Sequence, residues 1–249
     1  MARDVKANIM RDYVDEHDYV PKQDYIRVYR VLKIFKSFDQ EVRRLLDLGC
    51  YSGDFALRIK RACNASEVFG IDNHEERLGL ARQKGLKTFK LNIDKEPYPF
   101  QDDYFDAIFA GEVLEHLDDP DHFFEETFRV LRRKGILVIT TPNFASWYNR
   151  TALMLGFQPF QLDNSYRGAD AGKIVKGRKY SVDIQGRHTK LYTRRALTEL
   201  LELFGFSVIA SFGYPYPLEG KRYVLFNSVD ILMEYLGAGA GIIVACSKN

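Results

Sequence analysis

Residues 44–53, RLLDLGCYSG, join a short apolar run to a glycine-rich turn, and the next apolar run, VFGID, closes on Asp72. Residues 44–48 have the composition of a buried strand. Gly49, Cys50, Tyr51, Ser52 and Gly53 form the turn, and the amphipathic stretch 54–63 follows as a helix. A strand, glycine turn and helix bring backbone N–H groups and a helix N-terminus against a ligand. An acid closing the second strand is placed to accept hydrogen bonds from both hydroxyls of a ribose. Together the two features mark a nucleoside-cofactor site. A nicotinamide-binding turn wants G-x-G-x-x-G, whereas this one reads G-x-x-x-G with Asp47 two residues before it, so that reading is the weaker.

Outward from the turn, strand and helix alternate. Strands are predicted at 44–48, 67–71, 87–91, 105–110 and 136–141, and helices at 54–63, 75–84 and 120–133. Such repetition implies a parallel sheet covered by helices on both faces, with ligands beyond the carboxyl ends of the strands. Residues 1–43 read as a helical segment, with Tyr25, Val28, Tyr29, Leu32 and Phe35 on one face. It packs on the sheet or lies as a lid over the cofactor. Near the other end, a helix at 193–204 carries Thr193 as N-cap and Gly205 at its end, followed by strands at 206–211 and 242–247.

Asp47-Leu48-Gly49-Cys50-Tyr51-Ser52-Gly53 resembles motif I, D-x-G-x-G-x-G, of the class I S-adenosylmethionine-dependent methyltransferases, with Tyr51 where the middle glycine often sits. The segment FQDDYFDAIFAGEVLEHLDDP (100–120) is similar to the acidic loop, fourth strand and following loop of their ubiquinone-biosynthesis-like branch. LRRKGILVITTPN (131–143) is similar to that branch's fifth strand. The resemblance implies a Rossmann-like α/β fold: a mostly parallel seven-stranded sheet whose last strand inserts antiparallel, with an inserted cap after the fifth strand. It also implies roles in binding S-adenosylmethionine. Asp47 faces the methionine ammonium, while Gly49, Cys50, Tyr51 and Gly53 shape the turn. Asp72 takes the ribose, and Asn73 and His74 lead toward the adenine. In LNIDKEPYPF, Asn92 stands where aspartate is usual and meets the adenine amino edge beside Ile93. Ala110, Gly111 and Glu112 line the methionine side.

Catalytic candidates lie in Glu112-Val113-Leu114-Glu115-His116. On a helical turn Glu112, Glu115 and His116 stand at i, i+3 and i+4 and share one face. Two carboxylates and an imidazole suit Mg²⁺ or Mn²⁺, with His188 as a fourth ligand. Metal-dependent relatives, the ubiquinone O-methyltransferases and the small-RNA 2′-O-methyltransferases, carry a similar E-x-x-E-H. Without a metal, His116 is the best general base, because histidine is the side chain that ordinarily titrates nearest working pH. His188 is then a second base or an acceptor-positioning residue, and Glu112 completes the catalytic candidates. His17, His74 and His122 sit in charged sequence and read as surface groups.

Residues 142–187 break the strand–helix alternation and read as the cap, so the methyltransferase domain spans 44–249 around it. The cap's aromatic half holds Phe144, Trp147, Tyr148, Phe157 and Phe160, and suits a sugar face or an apolar acceptor. Its basic half holds Arg167, Lys173, Lys176, Arg178 and Lys179, and suits a phosphate or carboxylate. A small-molecule, saccharide or lipid-linked acceptor of O-methylation follows. RNA is the runner-up, disfavoured by a net charge of only +2 over 249 residues. A non-catalytic cofactor-binding module, its cap serving a partner protein, is the third reading. Cys50, Cys63 and Cys246 read as buried free thiols rather than a disulfide framework. No secretory signal or membrane span is visible, which makes a cytoplasmic protein the expectation; oligomeric state is left open.

Overall fold

The computed structural model describes residues 24–163, 165, 170–174, 188–215 and 224–249. Residues 1–23 of the N-terminal segment, with His17, lie outside them, as do 175–187 of the cap and the cap cations Arg167, Lys176, Arg178 and Lys179.

Helix α1 (Tyr25–Ser37) opens the described chain, followed by β1 (Arg44–Leu48), α2 (Asp54–Cys63), β2 (Glu67–Asp72), α3 (Glu75–Gln83), β3 (Lys87–Lys90) and β4 (Phe105–Gly111). A 3₁₀ turn (Leu114–His116) leads into α4 (Pro120–Val130), β5 (Leu131–Pro142), α5 (Trp147–Met154), α6 (Arg194–Leu203), β6 (Phe206–Tyr214), α7 (Val224–Tyr235) and β7 (Gly241–Lys248). The strands form one sheet in the order β3-β2-β1-β4-β5-β7-β6. β1 to β5 pair in parallel, while β7 runs antiparallel between β5 and β6. That placement of the last strand is the one the family resemblance implies.

Alternation of side chains across the pleat builds two cores. Leu45, Ala107, Phe109, Ile136 and Val138 face one side of the sheet, where Val28, Val31, Leu32 and Phe35 of α1 and Ala56 and Ile59 of α2 cover them. Leu46, Leu48, Ile108, Leu137 and Ile139 face the other, under Phe123 and Phe124 of α4 and Leu197 and Leu201 of α6. Each Val, Leu, Ile or Phe among them contributes about 1.5–3 kcal/mol on burial. The central strands therefore carry almost continuous apolar runs.

Several local expectations shift. The buried face of α1 is Val28, Val31, Leu32 and Phe35, whereas Tyr25 is exposed and Tyr29 half-buried. The aliphatic side chains bury, and the two tyrosines turn toward water. α4 stops at Val130 instead of residue 133, because Leu131 already pairs with Phe105. The chain then bulges through Lys134 at φ 60° before pairing resumes at Ile136. α4 is capped by Asp119, whose side chain accepts from His122 N at 3.2 Å. α6 is capped as expected by Thr193, which accepts from Ala196 N at 3.1 Å. Helix α7 was not legible in the sequence; its Asp230 is buried and accepts from Trp147 Nε1 of α5 at 3.1 Å. The three cysteines are free; Cys50 and Cys246 are buried and Cys63 is half-buried. No helix of the described residues is long and apolar enough to cross a membrane.

Candidate functional site

A cavity of about 920 Å³ opens at the carboxyl ends of β1, β2 and β4, roofed by Asp24, Arg27 and Val28 at the start of α1. Asp47, Gly49, Cys50, Tyr51, Asp72, Asn73, Asn92, Ile93 and Glu112 line it, as the motif reading requires. Gly53 starts α2 at φ 79° just behind the turn, where a Cβ would stand 2.9 Å from Leu86 Cδ2. Ala110 does not line the cavity: the strand's alternation turns its side chain into the core. Gly111 and Glu112 carry that wall instead.

The turn differs in one respect from a phosphate-binding loop. Gly49 N and Cys50 N both donate to Ile71 O, at 2.8 and 3.0 Å, and Gly53 N donates to Cys50 O at 2.8 Å. Tyr51 N donates to Asp72 Oδ2 at 3.0 Å. Three of these donors tie the turn to β2 and the fourth closes it on itself, so the expectation that they face the ligand is corrected. What the turn offers is shape. At Gly49, with φ 75°, a Cβ would stand 2.5 Å from Val113 Cγ2. Tyr51 adopts a left-handed φ of 49°, a conformation that costs a non-glycine residue about 1 kcal/mol or more. The Arg77 guanidinium lies 4.5 Å from the centre of its ring.

Charge is the cavity's dominant property. Seven acidic side chains line it (Asp24, Asp47, Asp54, Asp72, Asp94, Glu112 and Asp118) against three arginines, Arg27, Arg58 and Arg77. Such a lining attracts a cationic ligand and repels a pyrophosphate. Asp72 is buried and uses one oxygen on Tyr51 N and the other on His74 N, at 3.0 and 2.9 Å. Each oxygen keeps lone-pair capacity for a ribose hydroxyl. Asp47 is buried deeper, and burial first, then the neighbouring Asp72, pushes its carboxyl well above the ordinary range. Burial, with Asp47 and Asp72, also raises the Cys50 thiol, leaving it protonated and unreactive. Asn92 is half-committed: its Oδ1 accepts from Asp94 N at 3.0 Å, closing the loop on itself.

The E-V-L-E-H segment departs from its expected geometry. Glu112 sits at a left-handed φ of 56°, and only Leu114–His116 form a 3₁₀ turn. Glu112 therefore leaves the common face. Its Oε1 accepts from Thr140 Oγ1 at 2.9 Å and Tyr214 OH at 3.0 Å, and pairs with Arg27 Nη1 at 3.6 Å. Burial lowers the Arg27 pKa, but Glu112, Tyr214 and Asp24 outweigh it and hold the guanidinium charged.

Glu115 points the other way, toward the histidines. Ligand atoms of Glu115, His116 and His188 lie within 4.8 Å of one another, so the expected group of four is a group of three without Glu112. Glu115 Oε2 accepts from Thr141 Oγ1 at 2.9 Å, whereas its buried Oε1 has no hydrogen-bond partner among the described residues and stands 4.0 Å from His116 Nε2. Burial, then Glu112, pushes the Glu115 carboxyl well above the usual range. The His116 and His188 rings are 4.8 Å apart, centre to centre. His116 also lines the cavity, which joins this group to the cofactor end. His74 lines the cavity as well and, like His122, is half-buried rather than a free surface group; His122 contacts Glu96 O at 3.0 Å.

Three contributors carried no local signal in the sequence: Arg27, Tyr214 and Gly70. Tyr214 reaches Glu112 because Gly241 leaves it room, since a Cβ there would stand 2.1 Å from the tyrosine ring. At Gly70 a Cβ would stand 2.6 Å from Cys50 Sγ, so this strand glycine is what lets the turn settle on β2.

The methyltransferase-domain family profile matches residues 23–211, well over half of the chain. The chain is 33% identical over 107 residues to a demethylmenaquinone methyltransferase of Thermus thermophilus, covering 41% of this chain and 49% of that protein. It is 33% identical over 121 residues to a ubiquinone biosynthesis O-methyltransferase of Pelagibacter ubique, covering 45% and 49%. The chain thus spans about half the length of these curated relatives. An S-adenosylmethionine-dependent methyltransferase structure from Mesorhizobium loti superposes with a TM-score of 0.59 at 18% identity, covering 88% of this chain and 97% of that one. At that identity the likeness speaks to fold. Profile and sheet order agree: the chain belongs to the methyltransferase-domain family and has the Rossmann-like class I S-adenosylmethionine-dependent fold.

Proposed function

We propose that the chain binds S-adenosylmethionine in the acidic cavity and methylates a hydroxyl oxygen of a small-molecule, saccharide or lipid-linked acceptor. The observation that carries this reading is Asp47: a buried carboxyl facing a cavity rich in negative charge needs a cation, and the ligand's ammonium and sulfonium groups supply two. Asp72 would hold the ribose hydroxyls, and Ile93 and Leu91 would wall the base. When bound, S-adenosylmethionine supplies an electrophilic methyl group on a positively charged sulfur whose departure leaves a neutral thioether.

The chain's own task is to hold the acceptor in line and take its proton. Alignment alone contributes on the order of several kcal/mol. His116, at the cavity edge, accepts the hydroxyl proton at an imidazole nitrogen. Glu115, buried beside it, stabilises the imidazolium that results, and His188 faces the acceptor across from His116. The relatives named for demethylmenaquinone and for ubiquinone O-methylation support a small acceptor.

A second reading has its own observation. Among the described residues, one buried carboxylate oxygen without a hydrogen-bond partner and two imidazoles lie within 4.8 Å, a donor set that fits a borderline divalent ion such as Mn²⁺ and, without the second carboxylate of Glu112, no longer suits Mg²⁺. In that case the three side chains hold the ion, which lowers the hydroxyl pKa in place of a base.

The test is transfer of a labelled methyl group from S-adenosylmethionine into cell extract separated into RNA, lipid, glycan and small metabolites, with Mn²⁺ or EDTA. Label in a non-RNA fraction that survives EDTA supports the base reading, and label abolished by EDTA supports the metal. Label in RNA moves the acceptor to the runner-up. No label, with cofactor still bound, points to a binding module.

A further inference from the structure

Outside the cofactor cavity, the described part of the inserted segment holds a buried ion pair. Lys173 Nζ lies 2.9 Å from Asp163 Oδ1, and the two side chains are 2% and 3% exposed. Asp170 Oδ1 adds a second carboxylate 4.0 Å from the same ammonium. A buried pair gains little stability over an apolar pair of similar shape, because both charges are stripped of water. What such a pair fixes well is position.

The other oxygen of Asp163 shows what is positioned. Asp163 Oδ2 accepts from His188 N at 3.5 Å, and Asp163 N donates to His188 O at 3.4 Å. Both contacts are at the long end of hydrogen bonding, yet they form a reciprocal pair on one residue. On the far side, Thr189 N and Lys190 N donate to Glu115 O at 2.9 and 3.2 Å. The chain at 188–190 is thus held between Asp163 and the backbone of Glu115, with the His188 ring 4.8 Å from His116.

We infer that Asp163, fixed by Lys173, is a positioning residue for His188, so the inserted segment sets the geometry of the Glu115, His116 and His188 group. The inference rests on the proposed role of His188 for its effect on transfer, but not for its effect on geometry. Asp163 touches neither cofactor nor acceptor in this account; it acts through the histidine.

The double variant Asp163→Leu/Lys173→Met removes both charges of the close pair together, and Asp170, 18% exposed, loses only an ammonium 4.0 Å away. Histidine-labelled protein gives a ring-to-ring nuclear Overhauser contact between His116 and His188. The expected result is a melting temperature within a few degrees of the parent, loss of that contact, unchanged S-adenosylmethionine affinity and at least tenfold slower methyl transfer into cell extract. A retained ring contact overturns the inference. If the double variant does not fold, Asp163→Asn is measured with His188 present and in a His188→Ala background. Slowing confined to the first supports the inference, and equal slowing in both overturns it. Should His188→Ala itself leave transfer unchanged, the catalytic reading of His188 falls, while the ring contact still decides whether Asp163 positions it.

Discussion

Tyr51 N donates to Asp72 Oδ2 at 3.0 Å, so the tip of the glycine turn and the acid at the end of β2 are one hydrogen-bonded unit. The acid proposed to take the ribose is set by the turn, and the turn is held by that acid. Asp72→Ala removes both the ligand contact and the acceptor for Tyr51 N and His74 N. Hydrogen bonds to a charged group contribute about 1.5–3 kcal/mol each. S-adenosylmethionine affinity is therefore expected to fall well over tenfold by calorimetry, with Asp72→Asn intermediate. An unchanged affinity removes the ribose assignment.

Asp47 makes binding pH-dependent with a definite sign. Its raised pKa in the free protein means that a proton must leave before the carboxylate can meet an ammonium. Affinity should rise with pH, by up to about tenfold per unit, and level off above the raised pKa. Asp47→Asn flattens the profile and weakens binding. The same shift acts on stability. Between the ordinary carboxylate range and the raised value, the folded chain keeps a proton that the unfolded chain has lost, so this group costs stability as pH rises through that window. Asp47→Asn should then raise the melting temperature of the free protein at neutral pH while it lowers affinity. A variant that loses stability and binding together contradicts this assignment.

Gly70 and Cys50 test whether the turn's shape depends on β2. In Gly70→Ala the new methyl would stand 2.6 Å from Cys50 Sγ. Overpacking of this kind costs typically about 1–3 kcal/mol. Lower thermal stability and weaker cofactor binding are expected, both partly restored by adding Cys50→Ala. The rescue is partial because Cys50 Cβ is itself 3.0 Å from the new methyl. A Gly70→Ala protein with parental stability and affinity argues against a turn seated on this strand.

His116→Ala separates binding from transfer. His116 borders the cavity beside Glu115, away from the turn and from Asp72, so S-adenosylmethionine affinity should change less than about threefold. Transfer should fall by about 10²–10⁴, the usual contribution of a general base. Glu115→Gln keeps the shape of the buried side chain and removes its ability to ionise when the imidazolium forms beside it, and it should also slow transfer. Retained turnover in His116→Ala takes the imidazole out of the chemistry.

The sheet was legible because its strands are short apolar runs with turn residues between them, and Asp47 and Asp72 were legible because an acid's identity and spacing are local facts. The start of β5 was not: Leu131-Arg132-Arg133-Lys134-Gly135 continues the helical pattern of α4, and only pairing with Phe105 ends it. The face shared by Glu112, Glu115 and His116 was misread because i, i+3, i+4 spacing assumes helical dihedrals, and Glu112 sits at φ 56°. Tyr214 meets Glu112 from 102 residues away, through a strand order and a glycine that no local pattern announces. Arg27 likewise reaches the site from a helix whose spacing reveals only its apolar face.

The most direct measurement is a calorimetric titration of the full chain with S-adenosylmethionine and, separately, with NADH, across pH. A cavity walled by seven acidic side chains, with Gly49, Cys50 and Tyr51 N–H groups committed to β2, should bind the sulfonium ligand, more tightly as pH rises, and leave NADH unbound. Saturable NADH binding, with no heat from S-adenosylmethionine at any pH, would contradict the account.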